Sequence, residues 1–259
     1  ETFGSSAKAI KKVLTSQTKM IVAQHSFGIP CDIQPIVELA QAKNIFLLED
    51  CALTLGSKLN GVVCGNFGNA ALFSTDHSKP LNTLTGGLIY TQNKSLFKNL
   101  KAVQKNVPPL AKCKQHALWK QLLFERKYCR PDRYGKMKLI SAIRAKIGMD
   151  KRPFLDGDFG SVPSTDYPYP AKMPTFLAVL GTHELQNWKQ TAHSRKNFLS
   201  QLLNIIDNPA GVNRKILFVA YQDSKRDIIP LRLAWSPGNG DALRKELSHF
   251  VDTSWTWFM

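Results

Sequence analysis

The chain has 259 residues, 43% hydrophobic, 10% aromatic and 21% charged, a globular composition that excludes collagen-like, coiled-coil and wholly disordered chains. It is long enough for one large α/β domain or one and a half ordinary ones. The formal net charge is +16, and no apolar run approaches the roughly 18 residues that a bilayer-spanning helix requires. The opening Glu1-Thr2-Phe3-Gly4 lacks both the charged start and the apolar core of a secretory signal. Five cysteines (Cys31, Cys51, Cys64, Cys113 and Cys129) show no C-x-x-C spacing. This argues against a disulfide framework or zinc site and makes a reducing cytoplasm the expected compartment.

The first 92 residues alternate helix and strand signals. Ser6 to Leu14 reads as a short helix and Lys19 to Gln24 as a buried strand. Asp32 is placed to cap a helix running through Ala42, with Pro35 in its first turn, where proline is tolerated. Ile45 to Glu49 is a second apolar strand, Leu59-Asn60-Gly61 a hairpin tip, and Ala70 to Ser74 and Gly87 to Thr91 two more strands. Apolar strands separated by helices predict a parallel or mixed sheet covered on both faces. Asn93 to Gln104 reads as helix, and Pro153 to Pro170 as a Pro/Asp/Gly-rich linker. Phe176 to Ile206 carries one long helical pattern. Strands at Lys215 to Tyr221 and Ile229 to Trp235, then a helix from Asp241 to Phe250, predict a second, α+β lobe.

The charge is concentrated. Between Lys94 and Arg152 there are 17 basic residues against three acidic ones, Glu125, Asp132 and Asp150. Within this stretch Leu139, Ile140, Ile143 and Ile147 recur at helical spacing among Lys138, Arg144 and Lys146, with Trp119 and Phe124 upstream. One reading is a solvated helical insertion; another is an interfacial helix that meets an anionic lipid surface. Specific nucleic-acid binding is disfavoured, because the aromatics follow no base-reading pattern.

Two positions could carry chemistry. Asp50 follows a strongly apolar strand, and ligands of open α/β sheets bind outside the carboxyl ends of strands. Lys79 follows the strand Ala70 to Ser74 after a polar turn, where a partly desolvated lysine can serve as a nucleophilic amine. Each also has an ordinary reading, Asp50 as a helix cap and Lys79 as one of many surface cations.

Taken together with their surroundings, these positions are more specific. Val22 to Asp32 contains His25-Ser26-Phe27-Gly28, similar to a His-x-x-Gly stretch; Glu49-Asp50-Cys51-Ala52 matches Glu-Asp-x-Ala; Gly65 to Ser74 resembles a Gly-x-x-Gly-Asp-x-x-x-Phe-Ser run. Lys79 stands five positions after that serine, Gly86-Gly87 follows, and Met173 to Gly181 resembles a second-half helix opening. In these features the chain resembles the DegT/StrS family of pyridoxal-phosphate-dependent sugar aminotransferases, over residues 1–100 and 165–205. The resemblance implies the type I fold of the PLP-dependent transferases, a three-layer α/β arrangement around a mostly parallel sheet, with a smaller α+β C-terminal lobe. Residues 1–92 would form part of the cofactor domain, 93–165 a basic helical insertion and linker, and 166–259 the second-half helix and small lobe.

The resemblance also implies roles. Lys79 would hold pyridoxal 5′-phosphate as a Schiff base and shuttle the substrate proton. Asp50 would pair with the ring nitrogen, an arrangement in which opposite charge offsets the carboxylate's desolvation. Ala52 would pack flat on the ring, and Ser74 would donate to the cofactor phosphate. The expected reaction transfers an amino group from an amino-acid donor to a nucleotide-linked keto sugar, in a cytoplasmic homodimer, peripheral to the membrane if 94–152 meets lipid. No metal is expected. Leu53 stands where the family has Gln or His, and Pro170 where it has a phosphate-reaching Asn. The family's Gly-Thr phosphate-binding segment has no counterpart in residues 1–259. An incomplete copy of a longer enzyme is therefore expected, the alternative being a catalytically degenerate relative with a binding or regulatory role. His25 is either near the cofactor or structural; Cys51 is expected to pack, and His77, His183 and His193 to stand outside the chemistry.

Overall fold

The computed structural model describes residues 2–128, 131–133, 170–207 and 219–233, with isolated helical positions at 136, 139, 140, 143, 146 and 245. The chain divides into two compact units: Glu1–Phe73, Ile89–Thr91 and Asn187–Met259 form one, Ser74–Leu88 and Gln92–Gln186 the other.

The first unit opens with helix α1 (Ala7–Val13), whose N-cap Ser6 accepts the Ala9 N–H, a bond of about 1 kcal/mol to the helix. Strand β1 (Met20–Gln24) leads to helix α2 (Gln34–Ala42) and strand β2 (Phe46–Asp50). Strands β3 (Lys58–Leu59) and β4 (Val62–Val63) form a hairpin, followed by β5 (Ala70–Ser74) and β6 (Gly87–Tyr90). The main sheet has the order β1-β2-β5-β6. β1 pairs in parallel with β2, Gln24 opposite Asp50, and β2 in parallel with β5, Asp50 opposite Leu72. The parallel pairing that the apolar strands allow is thus present; α2 makes the crossover from β1 to β2, and the connection from β2 to β5 runs through the β3–β4 hairpin.

Ile21 and Ala23 of β1, Leu47 of β2 and Ile36 and Ala40 of α2 share one buried cluster, against which Ala7 and Ile10 of α1 also pack. The other side of β1 departs from the expectation of a fully buried strand: Met20 and Val22 are each 50% exposed. Only one face of β1 is covered, so its alternate residues meet the core.

The hairpin tip falls at Asn60 and Gly61, both with positive φ (50° and 80°), as a tight two-residue turn between antiparallel strands demands. A third strand, β7 (Arg226–Asp227), pairs antiparallel with β3. Arg226 clamps this small sheet to the start of α2. Its guanidinium binds Asp32, Asp223 and the Pro30 carbonyl while its side chain stays only 7% exposed. Asp32 is accordingly not the α2 cap; Ile33 occupies that position without a side-chain bond. An arginine 194 residues along the chain outcompetes the local amide for the carboxylate. Gly28 (φ +92°) lies so close to the 229–231 backbone that a Cβ would stand 2.2 Å from the Ile229 oxygen.

In the second unit, helix α3 (Lys94–Asn106) is capped by Asn93, whose side chain accepts from Ser95 and Leu96. Helices α4 (Lys112–Tyr128) and α5 (Thr175–Gln186) follow. Leu118, Leu177, Leu84 and Leu110 make the core of this unit, and Trp119 meets Phe176 edge-to-face at 5.3 Å.

The single long helix predicted from Phe176 to Ile206 is two helices. α5 stops at Gln186 and α6 (Trp188–Asp207) begins after Asn187, whose carbonyl accepts the Thr191 N–H. The apolar spacing continues across the break, but Trp188 packs beside Gly56 of the first unit. The strands predicted at Lys215 to Tyr221 and Ile229 to Trp235 do not form over their described residues: Val219–Tyr221 is a 3-10 turn, and the short β7 lies before Ile229. Ile228 and Ala220 instead pack with Leu199 of α6 and with Ile29. Residues 153–169 of the predicted linker, Ile147, and the predicted helix at 241–250 apart from Lys245 lie outside the described residues.

Candidate functional site

At the carboxyl end of β2, successive side chains face opposite sides of the sheet. Glu49 faces the interior and is fully buried, as is His25 at the end of β1. The Glu49 carboxylate accepts four N–H groups: His25 Nε2 at 3.1 Å and the backbone N–H groups of Gly65, Phe67 and Gly68, each at 2.7 Å. His25 Nδ1 in turn accepts the Cys31 N–H at 3.1 Å, which assigns the ring proton to Nε2. Burial alone would raise the Glu49 pKa, but the bonds from His25, Gly65 and Gly68 outweigh it and hold the carboxyl below its ordinary value. His25 is therefore structural, one half of a buried knot that joins β1, β2 and the turn ahead of β5.

Asp50, the last residue of β2, faces the other way and is half-buried. Its Oδ1 accepts the Ala52 N–H at 2.9 Å, and its Oδ2 has no partner among the described residues. The chain then turns through Cys51 to Thr54, with the Thr54 N–H on the Cys51 carbonyl. Leu53 is buried within this turn. Cys51 packs with Cys64, Ala71 and Phe73, as expected, and burial raises its thiol pKa strongly. The Thr54 hydroxyl is buried and without a hydrogen-bond partner, an omission worth about 1–3 kcal/mol unless a ligand supplies one.

Ser74 ends β5, and its Oγ accepts the Asp76 N–H at 3.4 Å. Lys79 is half-buried in the following loop, its N–H on the Asp76 carbonyl. This loop is held by threonines. The Thr75 N–H reaches the Gly86 carbonyl, and Thr83 Oγ1 lies 2.7 Å from Thr75 Oγ1 and 2.9 Å from the Thr85 carbonyl. Gly86 takes φ +116°, and a Cβ there would meet the Met173 methyl at 2.2 Å. His77 pairs with Asp76 at 2.5 Å. Asp50 and Ala52 lie in the first unit, Ser74 and Lys79 in the second.

The sequence profile of the DegT/DnrJ/EryC1/StrS aminotransferase family matches residues 1–215. The chain belongs to this family. GDP-perosamine synthase of Escherichia coli O157:H7 is 41% identical over 97 residues, which are 38% of this chain and 27% of that protein. The UDP-N-acetyl-3-dehydro-alpha-D-glucosamine 3-aminotransferase of Acidithiobacillus ferrooxidans is 34% identical over 96 residues, 37% and 26% of the two chains. Among solved structures, a putative sugar aminotransferase from Streptococcus pneumoniae in its PMP-form superposes with a TM-score of 0.61 at 16% identity, covering 96% of this chain and 58% of that one. An E. coli GDP-4-keto-6-deoxy-D-mannose-3-dehydratase with bound hydrated PLP gives 0.59 at 17%, covering 96% and 55%. These likenesses establish the type I fold; the chain spans little more than half the length of either structure.

Within the DegT/DnrJ/EryC1/StrS family frame, the residues present fit a pyridoxal phosphate group on three counts. An acid with a spare oxygen closes a central parallel strand, a small residue follows two positions on, and an orphaned hydroxyl lies in the same turn. Leu53 offers no hydrogen bond to such a group. Pro170 is exposed. The cluster His25, Glu49 and Cys51 has metal-ligand chemistry and close spacing, yet Glu49 spends both oxygens, and His25 both nitrogens, on the bonds above. Glu49 and Thr54 were not assigned roles by sequence reasoning. A glutamate at a core-facing strand position, followed by the glycine-rich Gly65-Asn66-Phe67-Gly68, was the available signal for the first. A threonine in a turn carries no comparable one.

Proposed function

We propose that the protein is a pyridoxal-phosphate-dependent aminotransferase that converts a nucleotide-linked keto sugar to an amino sugar with an amino acid as donor. The observation that carries this reading is Asp50: a carboxylate at the carboxyl end of a central parallel strand, one oxygen fixed by the Ala52 N–H and the other without a described partner. The cofactor, when bound, supplies an electron sink for the carbanion left when the substrate proton departs. Asp50 keeps the ring nitrogen protonated by opposing its charge. Ala52 leaves the ring room to approach, and the Ser74 hydroxyl donates to the phosphate. Lys79 Nζ would hold the cofactor and, once released from it, would carry the proton between the substrate carbon and the cofactor's C4′.

The protein is read as a homodimer working in the cytoplasm. A second reading, a cofactor-free relative with a binding or regulatory role, draws on Leu53 and Pro170. Adding pyridoxal 5′-phosphate to the purified protein is expected to produce a visible absorption band, amino transfer from glutamate to a nucleotide-linked keto sugar, and sedimentation at twice the chain mass. Absence of any band after reconstitution of the complete protein would carry the second reading instead.

The basic segment is assigned to an anionic lipid surface. On α3, Phe97 and Val103 are exposed among Lys94, Lys98, Lys101 and Lys105, and on α4 Leu123 is exposed near Lys120, the composition of an interfacial helix. Leu139 and Ile143, both helical, are exposed as well. The protein is expected to sediment with vesicles containing acidic lipid and to stay in solution with zwitterionic ones; equal binding to both defeats the assignment.

A further inference from the structure

The loop that carries Lys79 is tied at its neck. Thr75 donates its N–H to the Gly86 carbonyl and accepts the Thr83 N–H on its own carbonyl, each at 2.9 Å. Residues 76–82 are the tip, where the Lys79 N–H closes a four-residue turn on the Asp76 carbonyl. The neck rests on one stripe of chain at the start of α5. Met173, Leu177 and Gly181 stand four residues apart, the spacing that stacks side chains on one helix face. A Cβ on Gly86 would collide with the Met173 methyl, Leu84 and Leu177 share one buried cluster, and a Cβ on Gly181 would stand 3.2 Å from Thr83 Cγ2. All of these residues belong to the second unit.

Leu84, in this neck, takes φ +67°, a left-handed conformation that glycine adopts freely and a bulky side chain rarely does. Its N–H donates to Asn82 Oδ1 at 2.9 Å. Its side chain is buried with Leu110, Leu118 and Leu177. Strain of this kind persists only where the surroundings over-determine it, and strained residues cluster at functional sites. The leucine cluster supplies that constraint here. A glycine would take the same φ without strain but would leave the neck without an anchor, so the leucine makes the shape of the loop depend on its packing against α4 and α5.

We infer that Leu84 is a positioning residue for Lys79: its buried side chain holds the neck of the loop in one conformation, and so sets where the tip presents the ε-amine. The role in catalysis rests on the aminotransferase reading; the anchoring of the loop does not. Misplacing a reacting group by about 1 Å costs on the order of 10² in rate, so an anchor five residues away along a closed loop is near enough to govern the chemistry.

The test uses two variants of the full chain. Leu84→Gly keeps the φ accessible and removes the anchor. Gly181→Ala keeps every apolar contact, is favoured within a helix, and presses its Cβ on Thr83 from the other side. Without cofactor, amide hydrogen exchange over residues 75–86 is expected to quicken about tenfold or more in Leu84→Gly, as local opening becomes easier. With pyridoxal 5′-phosphate, kcat is expected to fall by roughly 10- to 100-fold with KM within about twofold, and the pH midpoint of the visible band to move. Gly181→Ala is expected to show the same displaced band and about a tenfold lower kcat with no loss in urea midpoint, and it decides the matter if Leu84→Gly does not fold. Leu84→Met, close in volume, is expected to restore most of the rate. A parent protein without a visible band defeats the aminotransferase reading, and exchange over 75–86 then judges the anchor alone. Unaltered exchange in both variants overturns the anchor. A lowered urea midpoint in Leu84→Gly with the parent's kcat and band reduces Leu84 to a packing residue and overturns its positioning role.

Discussion

Replacing Lys79 by alanine is expected to abolish the visible absorption of the cofactor-loaded protein and to lower amino transfer by on the order of 10⁴ to 10⁶, the scale of losing a covalent catalyst. The fold should survive the change. The loop that carries Lys79 is held by the Thr75 N–H on the Gly86 carbonyl and by the Thr83 hydroxyl between Thr75 and Thr85. Far-ultraviolet dichroism and the urea midpoint should therefore match those of the parent protein. Lys79→Arg keeps the charge but offers no nucleophilic amine at neutral pH, and it should be as inactive as the alanine variant. A visible band that persists in Lys79→Ala would remove this residue as the attachment point.

Glu49→Ala is expected to cost about 3–5 kcal/mol of stability, read from urea denaturation, because breaking a fully buried charge-assisted network strands its remaining members. Four donors lose one acceptor: His25 Nε2 and the N–H groups of Gly65, Phe67 and Gly68. The His25 donor has no route to water, since the carboxylate and the imidazole are both fully buried. Glu49→Gln should recover only part of the loss, because its NH₂ would confront donors where the second oxygen accepts them.

The same residue fixes a pH dependence. Its native pKa lies below the ordinary value of 4.5, so the stabilisation is fully present above about pH 4.5. It is lost as the pH falls through the lower native value, where the folded state must also take up the proton. Acid should therefore destabilise the parent protein below pH 4.5 more steeply than Glu49→Ala, which no longer carries this group. Parallel pH profiles for the two proteins would place the acid sensitivity elsewhere.

Local patterns in the chain were sufficient for most elements of the main sheet. Continuous apolar runs located β1, β2 and β5 within a residue or two, and Asn60-Gly61 placed the hairpin tip, because these signals rest on side-chain burial and backbone freedom close in sequence. The motif around Asp50 and Lys79 pointed to the family for the same reason: it is a short text in a fixed order, and the family profile matches residues 1–215.

Interactions between distant residues were settled only in three dimensions. Asp32 has the chemistry of a helix cap, but Arg226 claims it. A single apolar periodicity spans Phe176 to Ile206, yet Trp188 packs beside Gly56 and the helix divides at Asn187. Glu49 reads as one letter of a motif, and its four donors come from the end of β1 and from a turn 16 to 19 residues later. Hydrophobic period and turn chemistry are properties of neighbours along the chain, so the sequence alone determined the parallel strands and the order of Asp50 and Lys79. Which acceptor a buried N–H or guanidinium finds depends on what the folded chain brings within about 3 Å, and only the tertiary structure decided that.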